Sequence, residues 1–183
     1  MPLSKIPAVG VDATGTPSST TFFRGDNTWA TPTAASGSVV QVVNVQTGAF
    51  STSSTIIPID NTIPQITEGT QLFTLNITPT SASSKLKFDI VVNAGINSAN
   101  WVSIALFQDS TANALAAMSA YLTTSGSAIP VALNYYMTAG TTSTTTFRLR
   151  CGPLGNIMGI NGTTSQLLGG VQISSMTITE IAP

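Results

Sequence analysis

The sequence contains no histidine, a single cysteine and very little charge. Only 7% of its 183 residues are Asp, Glu, Lys or Arg, against roughly 25% in an average soluble domain. Without histidine the commonest general base is missing, and with it the Ser-His-Asp and Cys-His arrangements of nucleophilic catalysis. The carboxylates Asp12, Asp26, Asp60, Glu68, Asp89, Asp109 and Glu180 are scattered. A two-carboxylate glycosidase assembled by the fold is the one enzymatic reading left, and a protein that is not an enzyme is expected. The formal net charge of −1 offers no electrostatic footprint for nucleic acid or anionic lipid. No apolar run reaches the ~20 residues of a membrane-spanning helix, so no membrane insertion is expected.

Cys151 alone excludes an intrachain disulfide and, with Leu149 and Gly152 near it, reads as a small buried hydrophobe. Zinc would have carboxylates alone to hold it. Asp60 and Asp109 could contribute to an oxygen-ligand calcium site, but no dense acidic loop accompanies them. No metal or cofactor is expected. The opening "MPLSKIPAVG" lacks the apolar core of a secretory signal, so synthesis in a reducing cytoplasm is expected.

In place of charge the chain carries Ser, Thr, Asn and Gln among Val and Ile, a composition that favours strands over helices. A neutral, Thr-rich surface also suits a chain whose flanks are covered by copies of itself. The pattern changes near Gly37. Residues 1–36 carry breakers every few positions and no sustained period of 2 or 3.6, whereas strand signals recur throughout 37–183. Strands are expected in "SVVQVVNVQT", "TIIPI", "TQLFTLNITP", "SKLKFDIVVNA", "WVSIALFQD", "ALAAMSAYLTT", "IPVALNYYMTA", "STTTFRLRC" and "GGVQISSMTITEIA".

Alternation is clean where Leu86, Phe88 and Ile90 oppose Lys85, Lys87 and Asp89, and where Phe147, Leu149 and Cys151 oppose Arg148 and Arg150. "FQDSTANALAA" reads as a hairpin turning at Asp109–Asn113, with a helix over "ANALAAMSAYL" as the alternative. In the last segment the phase slips at Ser174–Ser175, which suggests a bulge or a strand covered on both faces. Short strands at regular spacing predict an all-β fold, an antiparallel β-sandwich or jelly-roll knob, preceded by an extended irregular N-terminal arm.

Within the arm, "GTPSSTTFFRGDNTW", Gly15 to Trp29, resembles a short motif found repeatedly in bacteriophage fibre and virion-appendage proteins. That motif runs roughly Gly-x-Pro-Ser-x-x-Thr-Phe-Leu-Arg-Gly-Asp-Gly-x-Trp. Phe23 stands where Leu is common and Asn27 where Gly is common. Asn is the residue besides Gly that best tolerates positive φ, so the turn should survive. "GGVQISSMTITEIAP" is similar to the closing strand of small trimeric knob domains on such fibres. The resemblance implies a homotrimer in which Phe22, Phe23, Arg24, Asp26 and Trp29 serve trimer formation or docking on other virion proteins. Each aromatic buried in that way contributes roughly 1.5–3 kcal/mol.

Several features have plainer readings. Arg24-Gly25-Asp26 spells the integrin tripeptide but reads as a charged β-turn. The glycines from Gly152 to Gly170 are followed by no Lys-Ser/Thr, so they read as a long mobile loop and not as a phosphate cradle. Asn76-Ile77-Thr78 and Asn161-Gly162-Thr163 match the glycosylation acceptor pattern but have no export signal before them.

Candidates for contact with a host-surface polysaccharide are Tyr121, Asn134, Tyr135, Tyr136, Arg148 and Arg150, while Trp101 reads as core. Tyr135 and Tyr136 are adjacent and therefore face opposite ways on a strand. Arginines can also meet anionic sugars through paired bonds. Three functions are compatible with these readings: a trimeric fibre or spike tip acting in host attachment, a capsid decoration protein, or a stand-alone carbohydrate-binding module. In the first two the protein belongs to a virion made in a bacterial cytoplasm.

Overall fold

Alternating apolar and polar side chains govern the structure as they govern the sequence. The computed structural model describes residues 14–183, and the chain divides into two units, residues 1–35 and 36–183. The first unit holds β1 (Phe22–Phe23) and β2 (Trp29–Ala30). The second holds β3 (Val39–Thr47), β4 (Ser51–Ser53), β5 (Thr70–Ile77), β6 (Lys85–Ile96), β7 (Asn100–Gln108), β8 (Ala116–Leu122), β9 (Ala128–Thr138), β10 (Thr145–Pro153), β11 (Met158–Ile160) and β12 (Ser174–Ile181).

Eight of these strands pair in nested order: β3 with β12, β5 with β10, β6 with β9, and β7 with β8. They form one long antiparallel ribbon folded back at the β7–β8 turn. Joining β12 to β6 and β10 to β7 rolls the ribbon into two sheets, β3-β12-β6-β9 and β5-β10-β7-β8. The fold is an all-β jelly roll. β4 and β11 prolong the first sheet beyond β3 and β12.

The inner faces supply the core. Leu86, Phe88, Ile90 and Val92 of β6 meet Phe147, Leu149 and Cys151 of β10, with Ile104 and Leu106 of β7 and Met176 and Ile178 of β12 filling between them. Phe88 and Phe147 pack edge to face with ring centroids 4.7 Å apart. The hairpin at residues 107–117 forms, with Asp109 at φ 50° opening its turn. Asp109 Oδ1 accepts the Thr146 N–H at 2.9 Å, which ties that turn to β10.

β7 is buried on both faces. Its outer residues Ala105 and Phe107 form a second cluster with Ile57, a residue of the loop between β4 and β5. "TIIPI", expected as a strand, is therefore a cover: Pro58 lacks a ladder donor, and Ile57 spends its side chain on β7. Arg150 fastens this loop, its Nε donating to Glu68 O at 2.6 Å and its Nη2 to Gly69 O at 2.7 Å.

Two further expectations are corrected. The phase slip at Ser174 marks the beginning of β12, and the register shift within that strand falls at Glu180/Ile181. Ser174 Oγ donates to Asn161 Oδ1 at 2.7 Å and accepts the Asn93 N–H at 3.0 Å, fixing where pairing starts. The glycine-rich segment is not a plain loop, because Met158–Ile160 form β11 between β4 and β6. Gly95 and Gly159 are register partners there, and a Cβ on either would collide with the carbonyl of Gly162. These glycines serve close packing.

Candidate functional site

In the first unit the residues of the phage-like motif hold one another in place. Arg24 N–H donates to Thr28 O at 2.8 Å and Asn27 N–H to Arg24 O at 3.1 Å, closing the turn between β1 and β2. Asn27 sits at φ 61°, the conformation that favours Gly at this place and that Asn tolerates. Asp26 Oδ1 accepts the Thr28 hydroxyl at 2.6 Å and its N–H at 3.2 Å, an Asx-type turn. The Thr28 hydroxyl does most to hold the Asp26 carboxyl below its usual pKa, against a cost of burial and with help from the Thr28 N–H and the Arg24 charge. Arg24 Nε lies 3.8 Å from Asp26 Oδ2. Arg-Gly-Asp is spent on the turn.

Thr14 closes the other side, its N–H donating to Asn27 O at 3.0 Å and its carbonyl accepting the Trp29 N–H at 2.8 Å. Gly15, at φ 91°, lies against Trp29, and a Cβ there would stand 2.7 Å from the Trp29 carbonyl oxygen. The Phe23 and Trp29 rings are 5.4 Å apart. Even so, Phe22 is 46% exposed and Phe23 42% exposed. The motif orders the backbone, half-buries Trp29 and leaves Phe22 and Phe23 uncovered.

In the second unit the sugar-contact candidates fall in the core and on the outer faces of the two sheets. Tyr135 points into the core, its ring 5.9 Å from Phe88. Tyr136 is exposed on the opposite face with Asn134. There Tyr136 is the register partner of Lys87 and Asn134 that of Asp89. Lys87 Nζ and Asn134 Nδ2 each lie 2.9 Å from an Asp89 oxygen, so this face neutralises its own charges. Lys87 and Asp89 were legible in the sequence as a polar face but not as neighbours of Tyr136.

Tyr121 lies on the other sheet. It is paired in register with Trp101, their rings are 5.2 Å apart, and Tyr121 remains exposed. Arg148 and Arg150, on β10 of the same sheet, are engaged by backbone carbonyls: Arg148 by Asp109, Arg150 by Glu68 and Gly69. They fasten loops, so the structure does not bring them together with the tyrosines as a free anion clamp.

No protein-family model matches the chain, and no curated protein matches it. Among solved structures, a T=1 particle derived from infectious bursal virus is similar at 19% identity, covering 97% of this chain and 36% of that one, with a TM-score of 0.46. The VP2 subviral particle of infectious bursal disease virus is similar at 16% identity over 97% of this chain and 37% of that one, TM-score 0.42. The enzymatically active domain of tailspike protein 4 of bacteriophage CBA120 is similar at 14% identity over 73% of this chain and 19% of that one, TM-score 0.28. The chain thus spans little more than a third of the viral particle chains it matches.

Proposed function

We propose that the protein is a structural subunit of a bacteriophage virion, a homotrimeric fibre or spike tip that acts in attachment to the host surface without a chemical step. The observation that carries the reading is the turn structure at residues 14–30. Its hydrogen bonds satisfy the turn, yet Phe22 and Phe23 stay exposed. Side chains of that size contribute roughly 1.5–3 kcal/mol each when covered, and the described residues of this unit include no buried hydrophobic side chain. Sister arms and other virion proteins are the partners that would cover them. The jelly roll supplies a rigid body for display, and three copies raise avidity through effective concentration without a strong single site.

Antibody labelling of intact virions, viewed by electron microscopy, tests the reading. Label on the tail or its fibres is expected. Label spread over the head would replace host attachment with capsid decoration. Light scattering on the full chain should give a trimeric mass, and a Phe22→Ser/Phe23→Ser variant should lose it or lose incorporation into virions.

A further inference from the structure

The loop between β4 and β5 does more than cover β7. Between it and the β7–β8 pair lies a hollow of about 200 Å³, walled by Pro58, Ile59 and Pro64 and floored by Ser103 with Ser119 beside it. Ser103 and Ser119 are register partners. Ser103 is 2% exposed, and its Oγ has no hydrogen-bond partner within the protein. A buried hydroxyl left unpaired forfeits the hydrogen bonds it made to water. Its position at the floor of a hollow assigns that hydroxyl to a group from outside.

Asp60 stands at the rim. Its Oδ1 accepts the Thr62 N–H at 2.7 Å and the Thr62 hydroxyl at 2.5 Å, which fixes the carboxylate and leaves Oδ2 to accept from a ligand. The Thr62 hydroxyl and N–H also keep the Asp60 carboxyl below its usual pKa, hence charged at neutral pH. Two residues along each strand, on the same face, stand the paired rings of Trp101 and Tyr121. Alternate residues on a strand lie about 7 Å apart, a spacing that one sugar residue and its substituent can span.

The wall is preformed. Ile57 N–H donates to Pro153 O at 3.1 Å, Ile66 N–H to Ala112 O at 2.8 Å and Ala114 N–H to Pro64 O at 2.9 Å, so the loop is laced to β10 and to the β7–β8 turn. A fixed wall removes much of the ordering cost of binding.

We propose that this face binds an N-acetylated hexosamine: the sugar ring lies on Tyr121, the acetyl methyl on the Pro58–Ile59–Pro64 wall, the acetyl carbonyl accepts the Ser103 hydroxyl, and a sugar N–H or O–H donates to Asp60. A plain hexose offers the wall no methyl and leaves Ser103 unpaired. A hexuronic acid sets its carboxylate against Asp60. The attachment reading enters only as the source of the sugar, a host-surface polysaccharide.

The test is a titration of the isotope-labelled full chain, followed by NMR, with triacetylchitotriose, cellotriose and a glucuronate trisaccharide. Shifts at the Trp101 indole, Ile59, Ser103 and Tyr121 are expected with the acetylated sugar and none with the other two. Tyr121→Ala should weaken binding about tenfold. Ser103→Ala should weaken it at least about fivefold while leaving the thermal midpoint unchanged or raised, because it removes an unpaired buried group. Silence at millimolar acetylated sugar, equal response to cellotriose, or a Ser103→Ala variant that binds normally would overturn the proposal. So would a Tyr121→Ala variant of reduced oligomeric mass, which would assign the face to a second copy. Virion label confined to the head would overturn attachment and leave these titrations standing, whereas silent titrations with label on the tail would overturn this site alone.

Discussion

Glu180 and Gln41 meet across the β12–β3 pair, the Gln41 Nε2 donating to Glu180 Oε2 at 2.5 Å, and the carboxylate is wholly buried. The other carboxylate oxygen accepts the Thr80 N–H at 2.8 Å and the Thr80 hydroxyl at 2.7 Å. Burial works against the charged form, but the donors, Gln41 first and then Thr80, outweigh it and hold the carboxyl at about 2. Here a buried anion is stabilised by neutral donors alone.

The folded pKa of Glu180 lies below the ordinary value of 4.5. Its contribution to stability is therefore present above pH 4.5 and lost as pH falls through about 2. The full difference is on the order of 3 kcal/mol. Urea unfolding midpoints should hold steady from neutral pH down to about 5 and then decline. Glu180→Gln should be destabilised at neutral pH and should show a shallower acid decline than the parent chain.

Burial pushes the Cys151 thiol up to about 12, with the Arg150 charge pulling weakly the other way. The thiolate is the reactive form, so the native protein should resist a disulfide reagent at pH 8 and release one equivalent only in denaturant. Prompt reaction of the native chain would show that the sheets part at β10.

Arg150 reaches two successive carbonyls, Glu68 and Gly69, with different nitrogens of one guanidinium. Lysine is a single point charge and cannot reproduce that fork. Arg150→Lys should cost about 1–3 kcal/mol and should open residues 54–69 to limited proteolysis, while the core strands stay protected.

Asn27, at φ 61°, sits where an L side chain is strained. Asn27→Gly should leave the turn intact or tighten it, and Asn27→Val should cost about 1–2 kcal/mol locally. Hydrogen exchange of the Arg24 amide, which donates to Thr28 O, should speed up in the second variant and not in the first.

How much of this was legible beforehand depended on burial. β6 and β10 bury one face each, and their alternation announced both strand and face. β7 is buried on both sides, so its pattern could not show that Phe107 needs a cover, and the cover itself, around Ile57, resembled one more strand. Adjacent tyrosines divide between two faces by geometry alone, so one exposed member was foreseeable. The pairing of Ser103 with Ser119 beneath Asp60 was not, because small polar residues carry no periodic signal and the loop that brings Asp60 there is fixed by tertiary hydrogen bonds. Arg148 and Arg150 looked available because sequence shows which face a side chain takes but not what already occupies it.

The outermost pairing of the ribbon joins the strands farthest apart in sequence. Val39 pairs with Ile181, and β12 lies between β3 and β6 in the middle of its sheet. A nascent chain halted before residue 174 would expose both neighbours of the missing strand, with their apolar inner faces and unsatisfied ladders open to solvent. The jelly roll therefore cannot shut until the segment bearing β12 has been made. Copies that end before β12 are left with an open sheet by topology alone.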